Sequence, residues 1–158
     1  MDAERIFQTY AQDREVTRYL EWVPHASVEI TKKFIAFCQD RWTNSIAFPY
    51  VIARTEDGEL LGMIEVRPNG HRADFGYVLA RPYWGNGFMP EAIGAIVKIT
   101  LGLPTIYRMA ATCDVENTAS ARALEKSGFS REGLLRKYMI HPNISPEPRD
   151  SLLYALTK

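Results

Sequence analysis

The segment Tyr83-Trp84-Gly85-Asn86-Gly87-Phe88-Met89-Pro90-Glu91-Ala92 joins two glycines and a proline to the start of an apolar helical period. That composition suits a backbone cradle for an anion. Gly85 and Gly87 let main-chain N–H groups approach a ligand closely, and Pro90 suits the first helical position, where a missing N–H costs nothing. The unpaired N–H groups of a first turn and the positive end of the helix dipole then converge on one point, where a phosphate binds well. A tight strand-to-helix turn uses the same residues, so the local pattern alone leaves both readings standing. Glu91 would repel a phosphate if aimed at it, and is expected to point away and complement the dipole.

A second group of residues has the chemistry of proton removal from an amine. Asn69-Gly70 reads as a two-residue hairpin loop, and counting back from it pairs Arg67 with Arg72, Val66 with Ala73 and Glu65 with Asp74. Glu65 and Asp74 would then oppose each other on one face, an arrangement that needs a cation between them or a shared proton. An alkyl ammonium is such a cation, and a carboxylate beside it can take the proton that a nucleophilic amine must lose. Neutralisation by Arg67 and Arg72 is the competing reading, and Glu21, Asp114 and His141 are the other candidate bases. No His has a position that predicts contact with Cys113, so a covalent cysteine intermediate is not expected.

The elements that must position these groups follow from periodicity. Ala3, Ile6, Phe7 and Tyr10 recur at helical spacing, and Val16, Tyr19 and Leu20 continue a second short piece. Ser27 is placed to cap a longer helix with an apolar face of Ile30, Phe34, Phe37, Cys38 and Trp42. Three strands, about 47–55, 59–68 and 72–81, form an antiparallel meander. After the glycine turn a helix runs to Gly102-Leu103-Pro104, and a strand spans Tyr107 to Asp114. Asn117 caps a helix that Gly128 terminates, and strands at 129–140 and 150–157 flank a proline-rich loop from His141 to Pro148. Antiparallel strands followed by a βαβ unit predict one α/β domain with a mixed sheet.

Composition narrows the function. With 158 residues, 46% hydrophobic and 24% charged, the chain suits one domain with one good core. Lys plus Arg balances Asp plus Glu at 19 each, which argues against a nucleic-acid or membrane-surface binder. Cys38 and Cys113 lie on apolar periodic segments without metal-ligand spacing and read as core, so no metal site is expected. The amino end, Met1-Asp2-Ala3-Glu4-Arg5, does not look like a signal peptide, and no apolar run spans a bilayer. A cytoplasmic protein is expected.

The Tyr-Trp-Gly-x-Gly turn between strand and helix, then Asn117-Thr118-Ala119-Ser120 and Glu125-Lys126-Ser127-Gly128-Phe129, together resemble the GNAT superfamily of acyl-CoA-dependent N-acetyltransferases. Val16-Thr17-Arg18-Tyr19-Leu20, Gly62 and Arg149-Asp150-Ser151 agree with its ribosomal-protein-alanine acetyltransferase branch. The chain departs from the superfamily pattern Arg/Gln-x-x-Gly-x-Gly/Ala: aligned on Gly87, it has Trp84 in the first place and Met89 in the last. Family members also begin with a strand before the first helix, whereas Met1 almost touches that helix here. The resemblance therefore implies an α/β (α+β) fold: a mixed, mostly antiparallel, twisted sheet flanked by helices, with the usual N-terminal strand either absent or belonging before a late start. Ile46-Ala47-Phe48-Pro49-Tyr50 would then be partly exposed at a sheet edge, as a pairing surface.

The resemblance further implies a single domain over residues 1–158 that moves an acetyl group from acetyl-CoA, its cosubstrate, directly to a primary amine. It places the pyrophosphate over the amides of Trp84, Gly85, Asn86, Gly87, Phe88 and Met89, and the pantetheine arm against Tyr77, Val78 and Leu79. The Leu79 amide becomes the candidate oxyanion donor. Asn117 would contact pantetheine, cap its helix, or do both. Many relatives have a thiolate-protonating Tyr seven residues after this Asn; that position is Leu124 here, which makes Ser120 the candidate acid. Trp22, Trp42, Tyr138 and the 141–148 loop are candidates to shape the acceptor site. The acceptor is either a protein N-terminus or a small amine, and a non-catalytic acyl-CoA-binding module is the alternative function. A homodimer is left open.

Overall fold

Alternating side chains and two tight turns fold the first half of the sheet as an antiparallel meander of β1 (Phe48–Ala53), β2 (Leu60–Asn69) and β3 (Arg72–Leu79). The computed structural model describes residues 2–158. The sheet continues through β4 (Arg108–Asp114), with β5 (Ser130–Met139) outermost and β6 (Arg149–Thr157) between them. The order is β1-β2-β3-β4-β6-β5, and only β3 and β4 run parallel. Their crossover is α4 (Phe88–Gly102), and α5 (Thr118–Lys126) connects β4 to β5. The chain opens with α1 (Asp2–Ile6), which widens into a π-helical turn at Phe7–Ala11, then α2 (Arg14–Thr17) and α3 (Val28–Thr43).

Strand alternation assigns the two faces of the sheet to different layers. Phe75, Met109, Ala111, Cys113 and Tyr154 pack with Ile93 and Ile96 of α4 and Leu124 of α5. Each fully buried large side chain there contributes about 1.5–3 kcal/mol relative to exposure. The opposite face carries a smaller cluster of Ile6, Tyr10, Ala11, Val16 and Leu60, with Met63 and Val78 against it. Cys38 and Cys113 are buried free thiols, as their apolar settings implied.

Several expectations are corrected. The meander hairpin turns at Gly70-His71, because Asn69 pairs with Arg72, Arg67 with Asp74 and Glu65 with Gly76. Glu65 and Asp74 are therefore not directly opposed. Gly70 takes the turn's positive φ of 61°, and this choice of loop moves every cross-strand partner by two residues. α4 starts at Phe88 with Gly87 as its cap, so Pro90 is third in the helix; it remains within the turn whose N–H groups lack partners. Ser27 precedes α3 but its side chain makes no capping hydrogen bond. The packed face of α3 also differs: Thr31 and Cys38 are buried whereas Ile30, Phe37 and Trp42 are exposed. Trp42 instead packs edge-on against Phe48 and Tyr50.

Among the described residues no strand precedes α1, and β1 lies at the sheet edge with Ile46, Tyr50 and Val51 exposed. Pro49 removes one donor from that edge. An apolar hollow of about 530 Å³ lies between β1 and α4, and Glu91 lines it. Glu91 is thereby turned from the glycine loop, as its charge required.

Candidate active site

The parallel pair β3/β4 is joined only where Arg72, Ala73 and Asp74 meet Arg108, Met109 and Ala110. Beyond that point the strands diverge, leaving Phe75–Leu79 and Ala111–Asp114 on the two walls of a cleft of about 1180 Å³. Ala80 N–H donates to the Leu61 carbonyl at 2.8 Å. By the alternation of an antiparallel ladder, Leu79 and Tyr77 then turn their backbone polar groups away from β2 and into the gap, while Val78 turns its own toward β2. The Leu79 carbonyl accepts a hydrogen bond from Trp84 Nε1 at 2.7 Å, which leaves its N–H facing the cleft. Trp84, the first departure from the superfamily pattern, thus braces the strand end that carries the candidate oxyanion donor.

At the mouth of the cleft, Gly85 and Gly87 adopt φ of 78° and 85°, conformations that glycine takes without a Cβ penalty. Gly87 is the cap of α4, so the free N–H groups of Phe88 and Met89 and the helix dipole point into the loop. The Met89 side chain is buried in the core, which leaves the ligand side to its backbone. The second departure is accommodated by facing inward. Asn86 is exposed beside them, its Nδ2 donating to the Trp84 carbonyl at 3.3 Å.

On the α5 wall, Asn117 Oδ1 accepts the Ser120 N–H at 3.1 Å and caps the helix, with its side-chain amide left for another partner. Both readings of Asn117 are compatible with that geometry. Ser120 Oγ lies 2.6 Å from the Tyr77 hydroxyl, which also reaches the Ser120 carbonyl at 3.3 Å. Burial raises the Tyr77 pKa above the ordinary phenol range, with the Ser120 bond opposing it, so Tyr77 stays a neutral donor. This phenol is what reading the sequence missed. Leu124 is indeed core, but a tyrosine 43 residues upstream of Ser120 supplies the hydroxyl; its period-two relation to Leu79 was the one available signal. Arg122 and Lys126, on the cleft side of α5, form no ion pair among the described residues and were also overlooked.

Cys113 borders the same wall, but burial pushes its thiol up to about 11, with the Ser120 hydrogen bond lowering it less than burial raises it. It is a poor nucleophile there, in keeping with direct transfer.

The opposite face holds the charged groups. Glu65 is clamped by Arg41 Nη1 at 3.2 Å and Arg67 Nη1 at 3.0 Å, while Arg67 also pairs with Asp74. The hairpin register leaves the opposition on which their base assignment rested unformed, and guanidiniums already neutralise both carboxylates. Asp74 lines the outer cleft and Glu65 does not. Asp114 lies at the far end of β4, where Arg149 grips it with Nε at 2.7 Å and Nη2 at 3.1 Å. Burial would raise its pKa, but the Arg149 and Glu116 N–H bonds outweigh that and hold the carboxyl below its usual range. Tyr138 and His141 line the cleft, whereas Trp22 packs on His25 and Phe34, and Trp42 stands outside.

A splayed parallel strand pair with a glycine-capped helix at its mouth offers unpaired backbone groups and an anion-binding turn to one elongated ligand. The family described as the acetyltransferase (GNAT) domain matches residues 1–130, and the chain belongs to it. It is an N-acetyltransferase with acetyl-CoA as cosubstrate. An uncharacterized N-acetyltransferase, YoaA of Bacillus subtilis (strain 168), is 32% identical over 99% of this chain and 88% of its own. The [ribosomal protein uS5]-alanine N-acetyltransferase of Escherichia coli (strain K12) is 26% identical, over 99% of this chain and 82% of its own. A GNAT-family acetyltransferase structure from Bacillus anthracis superposes with a TM-score of 0.84 at 28% identity, covering 99% of this chain and 89% of that one. Among the described residues, no helix is long and apolar enough to cross a membrane.

Proposed function

We propose that this enzyme acetylates the N-terminal amino group of a peptide or protein by direct transfer from acetyl-CoA, in the cytoplasm. The observation that carries the reading is the gap between β3 and β4, which leaves the Leu79 amide unpaired and facing a cleft lined from both sides of the sheet. In this reading the amides of Trp84 to Met89 hold the pyrophosphate, and the edge of Tyr77 to Leu79 pairs with the pantetheine arm. Asn117 uses its free amide on the same arm. The Leu79 N–H receives the negative charge that develops on the thioester oxygen, an interaction absent from the ground state. Ser120, backed by the Tyr77 hydroxyl, gives a proton to the departing thiolate.

The acceptor enters from the face of α1 to α3. Arg18, Arg72, Glu15 and Glu21 all line the cleft, and none of the four is in an ion pair among the described residues. That mixed field suits a peptide end carrying one ammonium better than a polycation, which would meet repulsion from the two arginines. The relation to the uS5-alanine enzyme supports the same choice. Rates measured with an alanine-terminated peptide, its N-blocked form and spermidine test it. The free peptide should have the highest kcat/KM and the blocked peptide none; preference for spermidine would move the assignment to small polyamines.

A further inference from the structure

We propose that His141 is the base that takes the proton from the acceptor ammonium, with Asp114 as its charge partner; this rests on the function proposed above. His141 follows β5 and is only 5% exposed, yet it lines the cleft. Neither ring nitrogen has a hydrogen-bond partner among the described residues. A buried imidazole left this way has lost its water without compensation, which persists where a ligand or a moving proton supplies the missing partner.

The ring is held in a built position. Its backbone carbonyl accepts from Ile144 at 2.9 Å and Ser145 at 3.0 Å, and Asn143 Nδ2 ties the loop to the carbonyls of Thr17 at 2.7 Å and Trp22 at 2.8 Å. Nε2 lies 3.7 Å from Asp114 Oδ2, too far for a hydrogen bond to the neutral ring but close enough to stabilise an imidazolium. The charged and titratable groups around it are Asp114 on β4, Arg149 on β6, and Tyr19 after α2, whose ring meets the imidazole edge-on at 6.4 Å. Arg149 keeps Asp114 ionised, its Nε donating to the same Oδ2 that faces His141.

The placement also separates the two proton transfers. Cys113 and the Ser120–Tyr77 pair lie on the α5 side of the sheet, and Asp114, the next residue along β4, points to the acceptor side. The ammonium gives one proton to His141, directly or through one water. Its nitrogen then forms the C–N bond, and the C–S bond breaks with its electrons on sulfur. The nitrogen's second proton balances the one the thiolate gains through Ser120, and the imidazolium returns its proton to water. The products are the amide, the CoA thiol and one proton.

The test uses the alanine-terminated peptide with the full chain. Turnover by the wild-type enzyme is read first, and its absence refutes the proposed function independently of His141. Given turnover, His141→Gln should lower kcat/KM by about 10²-fold or more. It should also move the acidic limb of the pH profile toward the peptide amine's own pKa, with CoA affinity within twofold of wild type. Imidazole added to His141→Ala should restore part of the rate. In the wild-type enzyme, the His141 ring titration followed by NMR should share its midpoint with that limb. A profile and rate unchanged in His141→Gln, absent imidazole rescue, or a ring titration more than about one unit from the limb would overturn the assignment.

Discussion

Replacing Gly62 with alanine should cripple turnover far more than it destabilises the fold. Gly62 pairs with Leu79, and a Cβ built on it would sit 2.1 Å from the Val78 carbonyl oxygen and 3.0 Å from the Leu79 Cα. Ordinary contact begins near 3.4 Å, so the Val78–Leu79 peptide must move by about 1.3 Å, and both obstructing atoms are backbone. Overpacking of this kind costs about 1–3 kcal/mol, which for a chain of this size lowers Tm by about 2–12 °C. The same shift displaces the Leu79 N–H from the thioester oxygen. Loss of one oxyanion donor or a 1 Å misalignment costs about 10²-fold, so kcat should fall by at least that factor. The KM for acetyl-CoA should rise as well, because the displaced peptide belongs to the edge proposed to pair with the pantetheine arm. Steady-state kinetics with thiol detection and a thermal melt read the two effects separately. Gly94→Ala in α4, where a Cβ meets nothing within 4 Å, should gain about 0.5–1 kcal/mol at unchanged kcat. A Gly62→Ala enzyme with kcat within threefold of wild type would refute the assignment of Leu79.

Three further outcomes follow from the same geometry. Ser120→Ala and Tyr77→Phe should each lower kcat by about 10²-fold at unchanged CoA affinity, and the double variant should lose little more than either single one, since they act as one unit. Gly87→Ala forces a side chain into φ of 85° at the cap of α4, which should cost about 1–2 kcal/mol in denaturant melts and raise the acetyl-CoA KM several-fold. Asp114→Asn should destabilise by about 3 kcal/mol at neutral pH by leaving Arg149 with only the exposed Glu116. Because the folded Asp114 carboxyl is depressed, its stabilisation is present above the unfolded pKa near 4 and lost as pH falls through the lower folded value. The gap between variant and wild type should therefore narrow in urea melts run toward pH 3.

The elements whose signals are local were legible in the sequence. The helix from the Asn117 cap to the positive φ of Gly128, the meander and the glycine loop depend on residues within a few positions of one another. What stayed hidden depends on register or on distant partners. A choice between Asn69-Gly70 and Gly70-His71 as the turn decided whether Glu65 faces Asp74, and both dipeptides satisfy turn chemistry. Arg41, on a helix, reaches Glu65 across 24 residues, and Tyr77 meets Ser120 across 43; no periodicity reports such contacts. The α3 face was misplaced because its core contact is small, so Thr31 is buried while the larger Ile30 remains outside.

Acetyl transfer at the gap beside Leu79 is read by following free CoA thiol and acetylated peptide together, by dye and mass spectrometry, after mixing enzyme, acetyl-CoA and the alanine-terminated peptide. Thiol release should require the peptide, match acetylated N-terminus mole for mole, and be lost in Gly62→Ala. CoA binding without peptide-dependent thiol release, for this peptide and for every other primary amine tried, would contradict acetyl transfer there.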